Sequence, residues 1–114
     1  MTRYFLDKNN DNLALTLGFE TEMGMILTGL PSDISADAIK FDIGVEGEEA
    51  IISEDLTVIV PTSPQQVKAV IPANTFTKPL KKQLFQIRYT QLGGNEKVIL
   101  KRFLDVRNPV TPKP

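Results

Sequence analysis

Within the stretch LDKNNDNLALTLG, Leu6 to Gly18, the oxygen-bearing side chains of Asp7, Asn9 and Asp11 stand at alternate positions. That spacing matches the first three ligands of a helix–loop–helix calcium site, where a hard cation takes oxygen donors. The pattern fails at its close. Asn12 stands at the glycine position and can adopt the bend, but the bidentate glutamate required at the twelfth loop position falls at Gly18. Leu13, Leu15 and Leu17 alternate with Ala14 and Thr16 as in a strand, not as in the exiting helix of such a motif. The stretch reads as an Asn/Asp turn ahead of a strand, and no metal site is expected.

A second set of carboxylates, Glu46, Glu48, Glu49, Glu54 and Asp55, is crowded into a glycine-bearing segment. A glycosidase pair needs a fixed separation and supporting residues that this spacing does not provide, so the run reads as a solvated surface. Gly93-Gly94 lacks the lysine and helix of a phosphate loop. The chain holds no histidine, cysteine or tryptophan, which removes Ser–His–Asp and Cys–His arrangements, thiolate metal sites and disulfides. Carboxylate, lysine and serine–lysine chemistry remain, and each normally needs a deep cleft. The inventory predicts a non-enzymatic protein with no catalytic residue and no cofactor.

The elements that would carry any functional surface are strands. At 114 residues, 41% apolar and 24% charged, the chain has the composition of one globular domain, with no apolar run near the roughly 18 residues that span a bilayer. Apolar alternation recurs at Leu13–Phe19, Met25–Leu27, Ile39–Val45, Leu56–Val60 and Val67–Ile71. It returns at Phe85, Ile87 and Tyr89, and after Gly93-Gly94-Asn95 at Val98, Leu100, Leu104 and Val106, predicting a terminal hairpin. Glycines and prolines punctuate the runs, and the best helix candidate, Ser32–Ala38, is long enough for a turn or two. The pattern predicts an all-β fold: an antiparallel immunoglobulin-like β-sandwich of about seven short strands, with a small barrel as the alternative.

Residues 1–114 are expected to form a single domain, with an extended N-terminal arm over 1–12, a core over 13–107 and a proline-rich extended tail over 108–114. Charge divides along the chain. Residues 1–57 carry three basic and twelve acidic groups, whereas 58–114 carry ten basic and two acidic. Two readings follow: acidic loops neutralised by neighbouring basic strands, or opposed surfaces through which copies associate head to tail. Phe85, Tyr89 and Phe103 interleave with Lys78, Lys81, Lys82, Arg88, Lys97, Lys101 and Arg102, as stacking platforms on nucleic-acid binders do. Phe85 and Tyr89 share a face with Ile87, however, and read as core, and the acidic half opposes a polyanion. Neither a nucleic acid nor a membrane is the expected partner.

Three segments carry a resemblance: Asp37-Ala38-Ile39-Lys40-Phe41-Asp42-Ile43, Val67-Lys68-Ala69-Val70-Ile71-Pro72, and the hairpin ending Phe103-Leu104-Asp105-Val106. In strand pattern they resemble small β-sandwich domains of tailed-phage virions, of baseplate, fibre-attachment and head-decoration type. The resemblance implies a structural or adaptor subunit docked into a symmetric assembly, located in a virion, with other protein subunits or copies of itself as partners. It would make Tyr4, Phe5 and Leu6 of the arm and Pro109 and Val110 of the tail the contacts with neighbours. The rival expectation is a carbohydrate-binding or adhesion module, which would use exposed aromatics as sugar platforms.

Overall fold

The computed structural model describes residues 2–6 and 13–110, with residues 2–6 and Leu13 described by their backbone. The chain is all-β, and among the described residues there is no helix. The described residues form nine strands in the order β1 (Thr2–Leu6), β2 (Leu13–Thr16), β3 (Thr21–Leu27), β4 (Ala38–Gly44), β5 (Ile52–Asp55), β6 (Thr57–Val60), β7 (Gln65–Ile71), β8 (Leu80–Thr90) and β9 (Glu96–Arg107). They form two sheets, one ordered β1-β3-β7-β6 and the other β2-β9-β8-β4-β5.

The sheets bury one face each because their strands alternate. On β8, Gln83, Phe85, Ile87 and Tyr89 are buried while Leu84, Gln86, Arg88 and Thr90 keep partial contact with water. On β7, Val67, Ala69 and Ile71 point inward, opposite Met23 and Met25 of β3. Phe41 of β4 stacks on Phe85 with centroids 5.8 Å apart and ring planes 28° from parallel, and both rings are fully buried. Offset aromatic pairs of this kind add about 0.5–1.5 kcal/mol beyond the area they bury.

Several expectations are corrected. The strands of the described residues number nine, not about seven, because two carry no readable alternation: β1 is five residues of the expected arm, and β5, Ile-Ser-Glu-Asp, lies inside the acidic run. The sandwich is also not wholly antiparallel, since β1 runs parallel to β3 and β2 parallel to β9. The helix candidate Ser32–Ala38 is a turn. Asp33 accepts the Ser35 N–H at 2.8 Å, an Asx turn that competes with helix, and Asp37 N–H donates to the Ile34 carbonyl at 3.0 Å. Ile34 is buried there, and bonds from Ile34 N–H to Pro61 O and from Ser63 N–H to Ser32 O tie the turn to the chain beyond β6.

The terminal hairpin follows the expected pattern. Gly93 takes a φ of +76°, a conformation that favours glycine, and Gly94 N–H donates to the Gln91 carbonyl at 2.7 Å. A β-bulge shifts the register between Ile87 and Arg88, so that Ile87 faces Leu100 and Arg88 faces Val98. Asp37 holds this hairpin to the Ile34 turn, accepting the Tyr89 hydroxyl and, at 2.9 Å, the Leu92 N–H.

Burial, the hydrogen bond to Asp37 and the nearby Asp37 charge together push the Tyr89 hydroxyl up to about 12. Its ordinary value is about 10, so the folded state holds this proton more tightly than the unfolded state. The resulting stability is fully present below about pH 10 and is lost as the pH rises through about 12, a change of about 2–3 kcal/mol. In urea unfolding across this window the wild-type chain is expected to show that loss, and Tyr89→Phe a flatter profile. Equal slopes for the two chains would contradict the assignment.

Candidate functional site

The face of the five-stranded sheet turned away from the core carries a network of hydrogen-bonded polar and charged side chains. β4 pairs with β8 so that Lys40 faces Arg88, Asp42 faces Gln86 and Gly44 faces Leu84, while β5 sets Ser53 opposite Asp42. Asp42 is only 7% exposed and every partner it needs is at hand. Ser53 Oγ donates to Oδ1 at 2.6 Å and Gln86 Nε2 to Oδ2 at 2.7 Å. The Arg88 guanidinium bridges both oxygens, from Nε at 2.7 Å and from Nη2 at 3.0 Å. Its Nη1 also reaches Glu96 Oε2, at 3.2 Å.

Burial alone would raise the Asp42 pKa, but the hydrogen bonds from Ser53, Gln86 and Arg88, with the Arg88 charge, outweigh it and hold the carboxyl below its usual range. The hydrogen bond to Asp42 in turn raises the Arg88 pKa. A carboxylate so fully engaged has its lone pairs occupied, which suits it to fixing the sheet and leaves little capacity for proton transfer.

Beside this network lies a shallow depression of about 120 Å³. The β4–β5 turn, with Glu46 and Glu48, forms one wall, and Leu84, Gln86 and Lys101 form the other. Gly44 lets the turn close: a Cβ there would meet the Ala50 Cα at 3.0 Å. Along β9 the same outer face carries Phe103, 59% exposed and opposite Leu84, and Val98, 47% exposed and opposite Arg88. Lys101 stands between them, opposite Gln86.

The residues expected to contact partners are distributed differently. Tyr4, Phe5 and Leu6 lie in β1, where their backbones pair with Met23, Gly24 and Met25 at an edge of the four-stranded sheet. Pro109 and Val110 follow the end of β9 in the other sheet, both exposed, Val110 at 91%. The structure therefore does not bring the two groups together in one sheet. Asp7, Asn9 and Asp11 lie outside the described residues. Among the described residues no group of three carboxylates is placed to hold a metal.

Phe85 and Tyr89 are buried, as their alternation predicts, and Arg88 is committed to Asp42 and Glu96. Among Phe85, Tyr89 and Phe103, only Phe103 presents an open ring. Phe103 was nevertheless legible: the alternation that places Leu104 and Val106 inside puts Phe103 and Asp105 on the opposite face. The Asp42–Arg88 pair had no local signal, because 46 residues separate its members.

No family model matches the chain, and no curated protein matches it.

Asp42→Asn is expected to cost about 2–3 kcal/mol, below the range for a fully buried pair because the Arg88 side chain is 25% exposed and keeps Glu96. The depressed pKa of Asp42 contributes stability that is present above the unfolded carboxyl value of about 3.9 and lost as the pH falls through the folded value. Urea titrations below pH 5 should therefore show a steeper acid loss in the wild type than in Asp42→Asn. Parallel acid limbs would contradict this reading.

Proposed function

We propose that the protein is a non-enzymatic structural or adaptor subunit of a multisubunit assembly, working through protein–protein contacts, with a tailed-phage virion as its setting. The observation that carries this reading is the outer row of β9, where Phe103 and Val98 stand exposed on one face, flanked by half-buried Leu84. Single exposed apolar side chains are ordinary; here two share one sheet face with Lys101 between them, a mixed apolar and basic surface that suits a protein contact. Aromatic side chains are enriched in such contacts.

The strand order supports the immunoglobulin-like part of the reading. The sheet β1-β3-β7-β6 follows the A-B-E-D order of those sandwiches, and β9-β8-β4 the G-F-C order, with β5 added beside β4. The residue inventory, without histidine or cysteine, supports a role that needs no catalytic centre.

A second reading, a carbohydrate-binding or adhesion module, rests on the exposed ring of Phe103 opposite Leu84, which lines the depression with Gln86 and Lys101. An open ring beside hydrogen-bonding side chains is the arrangement that packs on a sugar face.

Sedimentation of extracts from the source organism, with the chain detected by antibody, separates the two. The assembly reading expects the 12.7 kDa chain to travel within a far larger particle. A chain found only at its own mass would contradict that reading. Saturable glycan binding abolished by Phe103→Ala would favour the second.

A further inference from the structure

Resting on the assembly reading, we infer that the Glu96–Phe103 edge of β9, which no described residue covers, docks the β5 edge of a second copy, extending the five-stranded sheet from molecule to molecule. β2 covers β9 only from Leu104 to Arg107. Among the described residues no strand pairs with Glu96–Phe103 on that side, although β9 is bonded to β8 along its other side. Eight consecutive residues thus have no strand partner on that side among the described residues; of them Val98 and Phe103 are exposed and Ile99 and Leu100 half-buried. A long edge of free backbone donors and acceptors is a template for another strand, and its charges limit which strand can dock.

Charge selects the occupant. The uncovered edge carries Lys97, Lys101 and Arg102, and its one acid, Glu96, is bound to Arg88. Two such edges would repel one another, which opposes a symmetric β9–β9 dimer and favours an acidic strand. The chain holds one at the opposite end of the same sheet. β5 is the terminal strand there, with Glu54 and Asp55 exposed and ion-paired to no described residue. Lys97 and Lys101 likewise have no ion-pair partner among the described residues, although Lys101 faces Glu46 and Glu48 across the depression.

Strand direction agrees as well. β8 is antiparallel to β9, β4 antiparallel to β8 and β5 antiparallel to β4, so β5 runs antiparallel to β9. A second copy placed beside the first in the same orientation brings its β5 against β9 in antiparallel register, outer face beside outer face. β5 is four residues long and the open edge eight, so the incoming strand fits without displacing β2. The contact is heterologous: each copy offers one edge and accepts the other, which builds a ring or a filament and not a closed pair.

The test is sedimentation velocity of the purified full chain with two charge-reversed variants, Lys97→Glu/Lys101→Glu and Glu54→Lys/Asp55→Lys. The wild type is expected to self-associate, weakening about tenfold or more between about 0.05 and 0.5 M salt. Each variant alone should remain monomeric, and mixing the two should restore association, because the reversed edges again complement one another. A monomeric wild type, or association unchanged in both variants, would overturn the inference. So would a wild type that associates only after residues 7–12 are replaced by a Gly/Ser linker, which would make the chain's own segment the occupant. A chain that fails here and still sediments within a large particle leaves the assembly reading intact and places its contacts on other subunits.

Discussion

The register between β4 and β8 is the constraint on which both the core and the outer face depend. Seven residue pairs, Ala38 with Thr90 through Gly44 with Leu84, fix which side chains each strand turns inward. In that register Phe41 and Ile43 meet Ile87 and Phe85 inside, while Asp42 meets Gln86 and Arg88 outside. A slip of one residue would turn the Phe rings to water and bury Asp42 against an apolar sheet. The penalty for either error is several kcal/mol, so the two faces specify the register together.

From that pairing the remainder follows by extension. β9 joins β8 through the Gly93 turn, and the bulge at Ile87 re-aims the strand so that Arg88 stands opposite Val98 and reaches Glu96. β5 folds back on β4 where Gly44 admits the turn, and Leu56, whose N–H donates to the Ile39 carbonyl, carries the chain onward to β6 in the second sheet. The Asp42 network then locks three strands, β4, β5 and β8, from the outer side. The chain's linear charge division survives on this sheet as an acidic β5 edge and a basic β9 row, with the Asp42–Arg88 pair neutral between them.

Much of this architecture was legible in the sequence, because alternation reports the buried face directly. β3, β4, β7, β8 and β9 each carry at least three alternating apolar positions, and the buried side chains of Phe85, Ile87, Tyr89, Leu104 and Val106 follow them. β1 and β5 escaped for physical reasons. A five-residue edge strand need bury little, and Ser53, Glu54 and Asp55 point no apolar group at the core. The same limit applies to the outer face. Phe103 could be assigned to it by counting from Leu104, but its place opposite Leu84 and the meeting of Asp42 with Arg88 depend on pairings across distant segments. Local propensity contains no term for such pairings.

Amide hydrogen exchange followed from dilute to concentrated protein tests the account most directly, because it reads strand pairing residue by residue. The account predicts the slowest amides in Ala38–Gly44 and Leu84–Thr90, exchanging only with global unfolding. It also predicts fast exchange at alternate amides of Glu96–Phe103 in the dilute chain, with protection appearing there and at Ile52–Asp55 together as concentration rises. Fast exchange in the β4–β8 pair would contradict the register, and protection gained elsewhere, or nowhere, would contradict the open edge as the surface through which the protein works.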